Sequence, residues 1–195
     1  MTNRTSNFGF IVMNPEKNLK LLSNTIESIK KYYPDLDSIS IVPDGKISDF
    51  TPTCKTYKST NSTYSSMINS GMEHSKFDWN IIVFAGTWVK PCLENIKKYY
   101  IKSEKNILFS VSRGKIDPNR RDNRFDKALF PQGSINGLFI HKLAFKELGT
   151  LPNSSKLIAP ETLQINDFEL IKLEWSYLGI EKGIKFVTMF GTGIC

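Results

Sequence analysis

Cysteine and histidine are scarce in this chain, and the few present are scattered. The three cysteines (Cys54, Cys92 and Cys195) lie far apart and are odd in number. That excludes a disulfide framework and a cysteine metal cluster, so the expected setting is a reducing compartment, read here as cytoplasmic. His74 and His141 are the only histidines, and neither has a Cys or a carboxylate at ligand spacing, so neither is expected to bind a metal. No window approaches the roughly 18 consecutive apolar residues that a spanning helix needs. The opening MTNRTSNFGFIVMNP lacks the apolar core of a signal peptide. Glycine-rich phosphate loops of the Walker or dinucleotide type are absent, and Gly133-Ser134 lacks the flanking glycines of a nucleophile elbow. With no internal repeat, low-complexity tract or linker, one domain spanning 1–195 is expected.

What is present suits a globular α/β protein. Apolar residues make up 40% of the 195 positions and aromatic ones 12%, which argues against disorder. The net charge of +7 favours an acidic, phosphate-bearing ligand, because surplus Lys and Arg attract anions over long range. Nucleic acid is a poor candidate, since no interleaving of aromatic and basic residues accompanies the charge.

The chain opens as a β-α-β unit. Phe8 to Met13 is an apolar run of strand length. Asn14-Pro15 follows, suited to a helix cap and first turn. Leu19, Leu22, Ile26, Ile29 and Tyr33 then recur at steps of three and four on a helix that ends before Pro34. Ser38 to Val42 is a second strand running into the turn Pro43-Asp44-Gly45. The crossover implies parallel strands. A possible short strand lies at Lys55 to Tyr57.

From Asn69 to Pro91 a helical run leads into the strand Ile81 to Ala85, which breaks at Gly86 and continues Thr87-Trp88-Val89-Lys90-Pro91. Helix, buried strand and abrupt turn deliver a ligand site to the carboxyl end of a central strand. No carboxylate lies between Asp78 and Glu94, so a metal at this turn is not expected. Further along come a helix opened by Pro91, a strand from Ile107 to Val111, and a long aperiodic stretch over 112–134, a length usually functional. A short strand (Gly137 to Ile140) precedes a helix stopped by Gly149. Within Pro160 to Gly179, Phe168, Ile171, Trp175 and Leu178 fall at helical spacing on a helix opened by Asn166-Asp167-Phe168-Glu169, with Gly179 at its C-cap, and Ile184 to Phe190 is a closing strand.

A few side chains could carry chemistry. Asp44, just after a strand, can accept hydrogen bonds from a ribose or base edge; a plain Asp-Gly turn explains it equally. Asp167 and Glu169 diverge by roughly 200° around a helix, so they are no acid–base pair. Either could take a proton from an acceptor hydroxyl, and helix capping is the plainer role. Arg113, Lys115, Arg120, Arg121, Arg124 and Lys127 crowd the long loop. They could neutralise a diphosphate leaving group, or form a solvated loop partly cancelled by Asp117, Asp122 and Asp126. Trp88 on the organising turn could stack on a base or sugar.

Taken in order, these segments resemble a GT-A-fold glycosyltransferase of the large family-2 type. FGFIVMNPEKNLKLLSNTIESIKKYYP is similar to that family's first strand and helix, and SISIVPDG to its second strand. NSGMEHSKFDWNIIVFAGTWVKP resembles the helix and strand that lead to its paired metal-binding aspartates, and GLFIHKLAFKELGTLP its acceptor-side strand and helix. NDFELIKLEWSYLG resembles its acidic motif and last core helix. The resemblance implies an open, mostly parallel sheet flanked by helices and a nucleotide-sugar donor with a glycan or other hydroxyl acceptor. It further implies donor contacts from Asn14, Asp44, Gly86, Thr87 and Trp88, and a catalytic base at Asp167 with Glu169 beside it. Ala85-Gly86-Thr87 replaces the paired aspartates. An inverting transferase without a metal or other cofactor is therefore one expectation. A GT-A-like module that binds a glycan, nucleotide or protein without catalysis is the other.

Overall fold

The computed structural model describes residues 7–44, 54–111, 134–156 and 167–190. Its elements are β1 (Phe8–Met13), α1 (Leu19–Tyr32), β2 (Ser38–Pro43), β3 (Lys55–Ser59), α2 (Tyr64–His74), β4 (Trp79–Phe84) and α3 (Leu93–Tyr99). These are followed by β5 (Asn106–Val111), β6 (Ser134–His141), α4 (Lys142–Leu148), α5 (Asp167–Glu181) and β7 (Lys185–Phe190). The strands form one seven-stranded sheet in the order β3-β2-β1-β4-β6-β5-β7. It is parallel except at β6, which runs antiparallel to both β4 and β5.

Alternation along the strands divides the core in two. Ile11, Met13, Ile41 and Ile82 point to one face, where Met67, Ile68 and Met72 of α2 and Ile171 and Trp175 of α5 cover them. Phe10, Val12, Ile81 and Val83 point to the other, against Leu22, Ile26 and Ile29 of α1 and Leu93 and Ile96 of α3. Strands buried on both faces read as continuous apolar runs, as FGFIVM and WNIIVF do. Each large side chain so buried contributes on the order of 1.5–3 kcal/mol in transfer free energy.

Three helix ends differ from the sequence expectation, the first being α3, which begins at Leu93 behind the N-cap Cys92 so that Pro91 precedes the helix rather than opening it. Helix α1 is capped by Asn18, whose side chain accepts from Leu21 N, rather than by Asn14. Asn14 stands one stage earlier, its Oδ1 accepting from Asn18 N at 2.9 Å. The intervening turn places Lys17 at φ 54°, a left-handed conformation that a non-glycine residue rarely adopts. Pro15 therefore belongs to that turn and not to the helix. Gly179 is likewise not the end of α5 but lies within it, where a Cβ would come within 2.5 Å of the Phe186 ring. The helix closes at Gly183, φ 71°, with Ile184 N donating to Gly179 O.

Two side chains tie loops to this frame. The Asn69 amide on α2 pairs with both backbone groups of Leu151, donating to its carbonyl at 2.8 Å and accepting from its N–H at 2.9 Å. The Tyr33 phenol accepts from Cys92 N at 2.6 Å and Leu93 N at 3.0 Å, and donates to Lys90 O. It thereby holds the start of α3, whose N-cap residue Cys92 makes no side-chain capping bond.

Candidate functional site

The register sets Met13 of β1 beside Ile41 of β2 and Phe84 of β4, so three parallel strands finish at one edge of the sheet. The residues that follow them, Asn14, Asp44 and Ala85-Gly86, are thereby brought to that edge. A cavity of about 220 Å³ opens there, bordered by Asn14, Glu16, Leu21, Tyr64, Phe84 and Ala85. Ligand crevices in open α/β sheets form outside the carboxyl ends of the strands in this way.

The turn after β4 is built from backbone and hydroxyl groups. Gly86, at φ 97°, donates its N–H to Leu21 O at 3.1 Å and to Thr25 Oγ1 at 2.8 Å, which pins the turn to α1. Thr87 is only 5% exposed, and its hydroxyl donates to Asn136 Oδ1 of β6 at 2.9 Å. The same oxygen accepts from Phe84 N at 3.1 Å. Trp88 is 45% exposed. The backbone of Gly86 and the ring of Trp88 are thus the accessible parts of the turn, while the Thr87 hydroxyl is engaged internally.

A hard divalent cation requires carboxylate or carbonyl oxygens converging on it. Ala85, Gly86, Thr87 and Trp88 bring no carboxylate, and their single side-chain hydroxyl is occupied by Asn136. No cluster of three or more His, Cys, Asp or Glu suited to a metal occurs among the described residues. This turn does not fit a divalent cation.

Asp44 follows β2 and lies outside the cavity lining. It is exposed and sits 3.4 Å from Lys58 Nζ, and its carbonyl accepts from Lys17 Nζ at 3.0 Å. Asn14 is 1% exposed and its side chain serves the start of α1, so its contribution to the cavity is a wall. Asp167 is the first residue of α5. Glu169 follows, 2.5 Å from Lys172 Nζ. Lys172 is only 7% exposed and lies over the Phe109 ring at 5.8 Å, and a buried ammonium of this kind needs its carboxylate partner. Glu169 is thereby tied to a structural task. Arg113, Arg120, Arg121 and Arg124 fall outside the described residues.

Tyr64 is the site residue that the sequence pattern did not mark. It is the first residue of α2, 40% exposed, with edge contacts to Phe84 at 5.1 Å and Phe168 at 5.6 Å. Through these rings α2, β4 and α5 meet at the mouth of the cavity. Its signal was available: Tyr64 falls one turn before Met67 and Ile68, at the end of α2 nearest the site, directly after the capping Thr63.

No family model matches the sequence, and no curated protein matches it. Solved structures do match the fold. Glucosyl-3-phosphoglycerate synthase from Mycobacterium tuberculosis, in complex with Mn²⁺, UDP and phosphoglyceric acid, superposes with a TM-score of 0.63 at 8% identity, covering 98% of this chain and 70% of that one. S. aureus TarS 1–349 gives 0.59 at 9% identity, over 96% of this chain and 59% of that one. The TarS complex with UDP-GlcNAc gives 0.56 at 11% identity. The fold is GT-A. The described GT-A sheet is mostly parallel and flanked by five helices, as the sequence resemblance implied. The chain spans 59% of the length of TarS 1–349. No helix among the described residues is long and apolar enough to cross a membrane.

Proposed function

We propose that this chain is a glycosyltransferase that moves a sugar from a nucleotide diphosphate donor to an acceptor hydroxyl, with inversion and without a metal. One observation carries it: a cavity at the carboxyl edge of a GT-A sheet, walled by Asn14, Tyr64, Phe84 and Ala85. The donor nucleotide lies along this edge, with Asp44 toward the ribose or base, the Gly86 backbone beneath the sugar diphosphate, and Trp88 and Tyr64 offering ring faces. Asp167 takes the proton from the acceptor hydroxyl as its oxygen attacks the anomeric carbon. The bond to the diphosphate breaks on the opposite face, and the nucleoside diphosphate leaves with the electron pair. Its charge is met by the cations of Arg113, Arg120, Arg121 and Arg124, which act electrostatically in the role a metal serves elsewhere.

UDP and UDP-GlcNAc, bound in the TarS complexes, are the first compounds to try. Calorimetry or thermal shift in EDTA is the test. A ligand at 100 times its Kd stabilises the native state by about 2.7 kcal/mol. No stabilisation by any nucleoside diphosphate or its sugars overturns the proposal. A second reading, a GT-A module that binds without catalysis, is favoured by the carboxylate-free turn; it predicts ligand binding with no turnover.

A further inference from the structure

The opposite edge of the sheet holds a second and larger cavity, of about 470 Å³, at the amino ends of β1, β2 and β3. The six-residue β1 separates it from the donor edge by roughly 20 Å at about 3.3 Å per residue. Three exposed lysines line it: Lys30 from the last turns of α1, Lys55 at the start of β3, and Lys76 between α2 and β4. Asp37 is the single carboxylate of the lining. None of the three lysines forms an ion pair within 4.0 Å among the described residues. Three lysines against one carboxylate leave the lining net positive, which favours an anionic ligand.

The remaining walls are suited to more than a bare ion. The Tyr57 and His74 rings, stacked on each other at 4.2 Å with 8° between their planes, both line it, and Ile39 and Phe77 add apolar surface. The cavity volume lies in the range that holds small organic ligands. We propose that this cavity is a second binding site, for a small organic phosphate with a planar ring: the phosphate among Lys30, Lys55 and Lys76, the ring against Tyr57 and His74. It is independent of the donor site and does not require the transferase proposal.

The chain has only two histidines, which makes the test direct. His74 lines the cavity, whereas His141 is buried beside Trp79. Phenyl phosphate is titrated into the full chain at fixed pH while both imidazole resonances are followed by NMR. The His74 signals are expected to shift saturably at millimolar or lower Kd and those of His141 to stay still. Lys55→Glu with Lys76→Glu should weaken binding at least tenfold, with unchanged thermal stability showing that the variant folds. Inorganic phosphate should bind several-fold more weakly than phenyl phosphate, and UDP at saturating donor-site concentrations should leave phenyl phosphate binding at His74 intact. No saturable shift at His74, or equal binding by the double variant, overturns the site. Equal affinity for inorganic and phenyl phosphate overturns the role of the aromatic wall. Competition by UDP at its donor-site affinity overturns the independence of the two sites.

Discussion

Thr87 and Asn136, 49 residues apart, are joined by a hydrogen bond of 2.9 Å that closes the turn after β4. Asn136 belongs to β6, the one strand that runs against the sheet, and its Oδ1 also accepts from Phe84 N. The antiparallel strand thus reaches the donor edge from its own beginning and braces a turn that carries no carboxylate. Truncating Asn136 removes the acceptor of a part-buried N–H and of the Thr87 hydroxyl, each costing up to about 1–3 kcal/mol. Asn136→Ala is expected to lower Tm by several degrees and to weaken nucleotide binding with it. An unchanged melting curve would show the brace to be dispensable.

Gly86 is the second fixture of that turn. At φ 97° any side chain is strained although there is room for one, since a Cβ added here would meet its nearest atom, on Leu21, at an ordinary 3.5 Å. Gly86→Ala should therefore cost about 1–2 kcal/mol from backbone strain alone. Denaturant unfolding measures this directly, and a neutral substitution would mean that the turn relaxes to another conformation.

His141 gives a pH signature. Its pKa is lowered, chiefly by burial, while Glu104 and Asp78 act in the opposite direction. Its Nδ1 accepts from Leu143 N at 3.1 Å, a bond that the neutral imidazole makes. The unfolded chain takes up this proton near pH 6.5, the folded chain only at lower pH. Between the two the unfolded state binds more protons, so this stability is complete above about pH 6.5 and is lost as pH falls toward the folded pKa. His141→Asn keeps a capping oxygen and should flatten the pH dependence of Tm below about pH 6.5. A variant with the wild-type slope would assign the effect elsewhere.

Much of this fold could be read in the sequence because its strands are short and apolar and its helices periodic. FGFIVM is buried at every position, and the three- and four-residue steps of α1 place Leu22, Ile26 and Ile29 in the core. Direction was harder to read. GLFI signals a strand, but nothing in four apolar residues tells that β6 inserts antiparallel between β4 and β5. Asn14 was read as the start of α1, but Asn18 is its cap, and the left-handed turn at Lys17 carries the chain from one to the other. Gly179 looked like a helix end because a close approach and a C-cap both select glycine, and only the Phe186 ring distinguishes the two. Tyr64 escaped notice because its value lies in contacts with Phe84 and Phe168, distant in sequence.

The cations of the long loop are tested by paired substitution. If they meet the diphosphate, Arg120→Ala with Arg121→Ala should weaken nucleoside diphosphate binding at least tenfold and leave nucleoside binding nearly unchanged. EDTA should alter neither. Equal losses for nucleoside and diphosphate would remove these arginines from phosphate contact, and a strong Mn²⁺ requirement would place metal ligands elsewhere in the chain.

Turnover of a nucleotide sugar by wild type and Asp167→Asn, in EDTA and with donor affinity measured alongside, tests the central claim most directly. Asn preserves capping ability at the start of α5, while loss of a general base typically costs 10²- to 10⁴-fold in rate. The account predicts that wild type releases a nucleoside diphosphate from at least one sugar donor. Asp167→Asn should slow that release by at least about 100-fold with donor Kd changed less than about twofold, and Glu169→Gln, which breaks the pair with Lys172, should act mainly on stability. Release from no donor by the wild type, or full activity in Asp167→Asn, would contradict it.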